Sequence, residues 1–275
     1  MFFGRALPGT LFYVRPLINH TMPNAFTFSA ICCAALLGVQ CAPAPVQPRA
    51  AEQLPRLTPG TLPADFCYVD TVAPTVRADL KYAGNDNFVG RPIDGYEGTR
   101  LILRRDTAEA LARAAAALAE EGYGLLVWDA YRPARAMRDF RAWSRTPDES
   151  TKAVFYPNIT KQGIYDAHYI GNSSEHSWGV AVDLTLIHLS TGREVDMGGR
   201  HDLLDVSSAT DSPLVSPAAR ANRQRLRKAM HAAGFHNYSK EWWHYRLANS
   251  RPWLQYNFPV RDDLLQAAPG RPAEQ

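Results

Sequence analysis

Ser174-Glu175-His176-Ser177-Trp178-Gly179-Val180-Ala181-Val182-Asp183 is the stretch on which the reading of this chain turns. It sets a histidine and an aspartate, nitrogen and oxygen donors that both suit zinc, seven residues apart. On a continuous strand an odd spacing sends two side chains to opposite faces. They converge only where the chain bends between them, and Gly179 permits the bend because it reaches backbone angles closed to other residues. The spacing therefore predicts a loop carrying His176 that runs into a strand carrying Asp183. Val180, Val182, Leu184 and Leu186 alternate with Ala181, Asp183 and Thr185, the period of a half-buried strand.

A second motif follows downstream, Glu241-Trp242-Trp243-His244. A Glu and a His three apart meet on one side of a helical turn, or across the bend where a loop enters a strand. A zinc hydrolase needs a carboxylate near the attacking water that is not itself a ligand, and Glu241 fits that need with His244 as third ligand. Three protein ligands leave one coordination position open, which distinguishes a catalytic zinc site from a structural one. Either motif alone is weak, since a surface His and Asp are common, Glu241 could cap a turn and His244 could complete a core hydrogen bond. Of the eight histidines, His168, His188, His201, His231 and His236 stand in no comparable context. The Ser, Gly and Ala setting of the first motif, joined with the Trp-flanked second, makes the pair specific.

Around these motifs the chain reads as one α+β domain with a central, mainly antiparallel sheet flanked by helices, because helices and strands mix without a regular βαβ alternation. Short β-type runs fall within Ala64–Leu80, and the Gly/Asn/Asp/Pro-rich residues 85–98 form a loop with turns. Asp106, with Glu109 three residues on, suits a helix N-cap, and Gly122 suits the stop of that helix. A strand over Leu125–Trp128 breaks at Asp129-Ala130-Tyr131-Arg132-Pro133, ahead of a helix over Ala134–Ser144. Ser216 and Pro217 open another helix that closes at Gly234, and a last strand covers His244–Leu247. The arginines of 220–228 (RANRQRLRK) read as a solvated helix face.

The ends read differently. Ala25–Val39 is an apolar run without charge, shorter than a membrane span and suited to the core of a secretion signal. A Pro/Ala/Gln stretch, 42–51, follows it. This divides the chain into a signal segment and linker over 1–55, a catalytic domain over 56–262 and a flexible tail over 263–275. Arg5 and Arg15 lie upstream of the run, and Met22 offers an alternative start that would leave almost no basic region before it; if the extension is not a signal, the protein is cytoplasmic. Cys41 follows Leu37-Gly38-Val39-Gln40 as the lipidated cysteine of a bacterial lipoprotein would, although Gln40 stands where a small residue is expected. The expectation is an exported protein, periplasmic or anchored to the membrane through Cys41. With Cys32 and Cys33 inside the signal, only Cys67 belongs to the folded body, which leaves it no intrachain disulfide partner. A net charge of +3 gives no footprint for nucleic acid. Nothing in the sequence sets an oligomeric state.

SEHSWGVAVDLTL and EWWHY resemble the zinc motifs of the D-alanyl-D-alanine dipeptidases of the vancomycin-resistance type. These belong to the wider family of zinc D-alanyl-D-alanine peptidases, whose fold is similar to the Hedgehog signalling domain. The likeness extends over roughly residues 66–260, through DLKYAGNDNFVGRPIDGYE, GYGLLVWDAYRP, FYPNI and MGGRHD. It implies one Zn2+ per chain held by His176, Asp183 and His244, with Glu241 as general base and acid and Arg132 as the cation facing the scissile carbonyl. It further implies that Ser174, Tyr82, Tyr96 and Asp202 line a pocket for a small D,D-dipeptide. Trp178 and Ala130 stand at motif positions where relatives carry other residues. The vancomycin-resistance members act in the cytoplasm, so an export signal points instead to turnover or scavenging of cell-wall peptide. A D,D-carboxypeptidase acting on muropeptide stems, or a non-catalytic wall-binding module, would use the same scaffold.

Overall fold

The computed structural model describes residues 58–248 and 254–266. The apolar run, the Pro/Ala-rich stretch and Cys41 lie outside the described residues. Among those described, no helix is long and apolar enough to cross a membrane, and Cys67 is a buried free thiol.

Phe66–Tyr68 (β1) pairs antiparallel with Ile102–Arg104 (β3). The main sheet has five strands: Arg77–Ala78 (β2), Tyr123–Asp129 (β4), Ala181–His188 (β5), Phe235–Asn237 (β6) and His244–Leu247 (β7). Their order is β2-β4-β5-β7-β6, antiparallel except for β2 on β4. Helices Arg105–Glu120 (α1), Ala134–Ser144 (α2) and Pro217–Ala232 (α5) flank it, and two short helices, Lys152–Phe155 (α3) and Lys161–Asp166 (α4), lie between. The α+β class and the mainly antiparallel sheet are as the sequence implies.

The punctuation that places the helices is local chemistry. The Ser216 side chain accepts from the backbone N–H of Ala219 with Pro217 at the first helical position, so α5 starts there. Gly122 and Gly234, both at positive φ, lie just past the ends of α1 and α5. Asp106 does not cap α1. The helix begins one residue earlier, and Asp106 accepts from its neighbour Thr107 inside the first turn.

Three further expectations are corrected. β5 is buried on both faces from Ala181 to Ile187, because it is central and covered on each side; alternation in the sequence reports polarity, and Asp183 and Thr185 are polar but buried. The helix face over 220–228 is not wholly solvated. Arg223 is fully buried, and its guanidinium donates to the carbonyls of Met197, Ser207 and Ala209 at 2.7–2.9 Å. Burial pulls it down to about 10, a fall that Asp196 opposes only in part. It fastens α5 to the loop of residues 196–209. Nor does the body stop at 262. Leu264 donates to the Tyr68 hydroxyl, Leu265 exchanges backbone bonds with Gly60 and Leu62, and Gln266 donates to Phe66.

Candidate metal and active site

Register builds the site. Asp183 on β5 lies directly opposite His244 on β7 and Asp129 on β4, and directly opposed residues of an antiparallel pair share a face. Three polar side chains are thus set in a row across the sheet. His176 arrives from outside it, on a single 3-10 turn, Glu175–Trp178, capped by the Ser174 side chain. Gly179 then reverses the chain at φ +73°, the bend that the odd spacing requires. That loop is fixed by backbone bonds from Arg132 to His176, from Arg104 to Gly179 and from Tyr256 to Ser177.

A Cβ at Gly179 would fall 2.3 Å from Phe66 Cε1. Phe66 is fully buried among Tyr131, Tyr256 and Phe258 and has nowhere to move. Gly179→Ala is therefore expected to cost roughly 2–4 kcal/mol, combining the left-handed penalty with overpacking. Urea unfolding would measure it, and an unchanged midpoint would contradict this account of the bend.

The three donor atoms form a triangle. His176 Nε2 lies 3.1 Å from His244 Nδ1 and 3.4 Å from Asp183 Oδ1, and His244 Nδ1 lies 3.0 Å from Asp183 Oδ1. Among the described residues these three constitute the one group of histidines, cysteines and carboxylates arranged to hold a metal. Tetrahedral zinc with bonds of about 2.0–2.1 Å separates its ligand atoms by roughly 3.3 Å, so the triangle fits. The outer atoms of the ligands are tied as well. His176 Nδ1 donates to the Ala130 carbonyl at 2.7 Å and His244 Nε2 faces Glu175 Oε2 at 3.3 Å, which turns the other nitrogen of each ring toward the common point. Burial opposes charge on His244, yet Asp183 and Glu175 outweigh it and push the imidazole up to about 10. Burial likewise resists ionisation of Asp183, but His176 and its neighbours hold the carboxyl well below the usual range. The donor set favours positive charge at its centre, which a divalent cation bound there would supply by displacing protons.

The triangle opens on a cavity of about 280 Å³, also lined by Glu241, Arg132, Tyr82, Ser174 and Asp202. That is at the small end of ligand cavities. Burial pushes the Glu241 carboxyl up to about 8, with Asp183 and Asp202 adding to the rise while His244 and Arg132 oppose it. Arg132 is buried, and its Nε donates to Asp129 Oδ2 at 2.8 Å. Burial works against its charge, but Asp129 and the other anionic neighbours outweigh that and keep the guanidinium protonated. The Tyr82 hydroxyl donates to Asp202 Oδ2 at 2.9 Å.

Tyr96 does not line the cavity. Its hydroxyl donates to Asp129 Oδ1 at 2.6 Å, behind Arg132, so its link to the site is indirect. Three residues of the site went unread in the sequence: Asp129, Glu175 and His201. Each adjoins a motif residue, Asp129 at the head of DAYRP, Glu175 before His176 and His201 before Asp202. Only the fold reveals what they touch. His201, which has no telling sequence context, lies with its Nε2 3.4 Å from both Asp183 and Asp202.

A family model described as D-ala-D-ala dipeptidase matches residues 63–262. The chain is 45% identical over 198 residues to a D-alanyl-D-alanine dipeptidase of Streptomyces coelicolor and 43% identical over 198 residues to one of Enterococcus faecium. Each alignment covers 71% of this chain and 98% of the relative. A D-alanyl-D-alanine dipeptidase of Escherichia coli K12 is 35% identical over 189 residues, covering 68% of this chain and 88% of its own length.

Proposed function

The chain belongs to the D-Ala-D-Ala dipeptidase family of peptidases, and from that premise we propose that it is a zinc enzyme splitting free D-alanyl-D-alanine into two D-alanines. The observation that carries this is the convergence of His176, Asp183 and His244 beside a buried carboxylate, Glu241, and a buried guanidinium, Arg132, on one small cavity.

Bound by those three residues, zinc supplies a Lewis acid for the scissile carbonyl and lowers the pKa of water. Glu241 takes the proton of the attacking water on a carboxylate oxygen and returns it to the leaving amine nitrogen. A carboxyl raised by burial suits both halves of that task, since it neither holds nor sheds its proton too firmly. The guanidinium of Arg132 stabilises the charge growing on the carbonyl oxygen. Asp202, oriented by the Tyr82 hydroxyl, receives the substrate's ammonium group. Burial lifts the Asp202 carboxyl, with Asp183 adding to the rise while His201 and Arg132 oppose it; an incoming cation reverses that cost. The Ser174 hydroxyl already accepts from the His176 N–H at 3.3 Å, which leaves its own proton to donate to the substrate carboxylate.

Both ends of a dipeptide are thereby paired, and a longer peptide would leave Asp202 buried without its partner. With purified protein and a panel of L,L, L,D and D,D dipeptides plus a pentapeptide ending in D-Ala-D-Ala, only the D,D dipeptide should be cleaved efficiently. The pentapeptide should be at least about 100-fold slower. A chelator should abolish turnover and zinc restore it. Equal trimming of the pentapeptide would make the protein a D,D-carboxypeptidase, and binding without hydrolysis would make it a wall-binding module. For the cellular role, the apolar run Ala25–Val39 supports export and hence turnover or scavenging of wall-derived dipeptide. Recovery of the protein only in the cytoplasm, with its N-terminus intact, would remove that support.

A further inference from the structure

His201 takes no part in the chemistry above, yet it sits where the metal ligands and the ammonium site meet. Its Nε2 lies 3.4 Å from Asp183 Oδ2 and 3.4 Å from Asp202 Oδ1. The second oxygen of each carboxylate is engaged elsewhere. Asp183 Oδ1 faces His176 and His244, and Asp202 Oδ2 accepts from Tyr82. Besides His201, Asp183 Oδ2 has Arg132 Nη2 at 3.5 Å. One ring nitrogen thus stands between two buried carboxylates, adding to the relief that Arg132 gives their mutual repulsion.

The ring is held there firmly. It is 4% exposed and packs against the indoles of Trp128 and Trp243, with centroids 5.0 and 5.6 Å away. Its loop is tied to α5 by Arg223. The next residue, Asp202, has φ +58°, a conformation that residues other than glycine adopt rarely and at some cost, and that its surroundings must enforce.

We infer that His201 is a positioning residue that joins the two halves of the site. Its Nε2–H holds Asp183 so that only Oδ1 is offered to the metal, and it fixes the orientation in which Asp202 lines the cavity. The inference rests on the zinc reading proposed above. It does not depend on His201 touching either the metal or the dipeptide.

His201→Phe keeps a ring against the two indoles and removes the N–H, while His201→Gln places an amide N–H near the position of Nε2. The full chain and both variants would be titrated with Zn2+ against a competing chelator, alongside melting curves and D-alanyl-D-alanine kinetics. His201→Phe should weaken zinc binding by about 10- to 100-fold and raise KM for the dipeptide, with His201→Gln recovering most of both. A purely structural histidine would lower the melting temperature and leave zinc affinity and KM alone. Zinc affinity and KM of His201→Phe within twofold of the unsubstituted protein would overturn the inference. If His201→Phe does not fold, His201→Gln against His201→Asn decides, since the shorter amide does not reach the Nε2 position; equal zinc affinity of those two is the overturning result. An unsubstituted protein that binds no zinc would instead defeat the reading on which this one stands.

Discussion

Glu241→Gln is expected to lower kcat for D-alanyl-D-alanine by about 10²- to 10⁴-fold, the usual worth of a positioned general acid and base, with zinc content and fold unchanged. The substitution preserves shape and hydrogen-bonding reach and removes only the ability to take up a proton. Glu241 is 8% exposed, so burial raises its carboxyl, and a neutral amide relieves that penalty. The variant should accordingly be at least as resistant to unfolding as the parent. Three of the features that place Glu241 are backbone bonds: its N–H donates to Tyr238, its carbonyl accepts from His244, and Trp242 donates to Ser208. None of them involves the side chain being changed, so the turn that delivers His244 should survive. Steady-state kinetics with metal analysis of the same sample provides the check. Full activity in a zinc-loaded Glu241→Gln protein would remove Glu241 from proton transfer, and tight dipeptide binding without turnover would support it.

The sequence made the metal triangle legible because its members carry their own context: a glycine that must bend, an alternating strand and a Trp-flanked turn. It made the helix limits legible for the same reason, since Ser216, Pro217, Gly122 and Gly234 act on their immediate neighbours. What it concealed depends on chain-distant packing. Arg223 reads as one of several arginines on a polar helix until the loop of residues 196–209 closes over it and supplies three carbonyls. Asp183 and Thr185 look like the wet face of a strand, yet both faces are covered. Resemblance alone draws Tyr96 into the pocket, whereas the structure sets its hydroxyl on Asp129, beside Arg132 and off the cavity. Local chemistry can be read along the chain; which groups end up behind others cannot.

That ordering bears on the second large effect, Arg132→Ala, which is expected to reduce kcat/KM by about 100- to 1000-fold, as the loss of one preorganised oxyanion donor does. It should also destabilise the protein, because Asp129 is fully buried and would keep the Tyr96 hydroxyl while losing its cation. Breaking a buried ion pair from one side typically costs about 3–5 kcal/mol. The two effects separate through Arg132→Lys, which restores a charge opposite Asp129 but not the planar fork that reaches the carbonyl oxygen. Stability should return in large part and activity should not. Tyr96→Phe supplies the complementary case, since it removes a 2.6 Å bond to Asp129 and leaves Arg132 in place: a loss of stability with a much smaller loss of rate. If Arg132→Lys regains activity in step with stability, Arg132 acts in this enzyme only as a buried counter-ion, and the charge on the carbonyl oxygen must be met by something else.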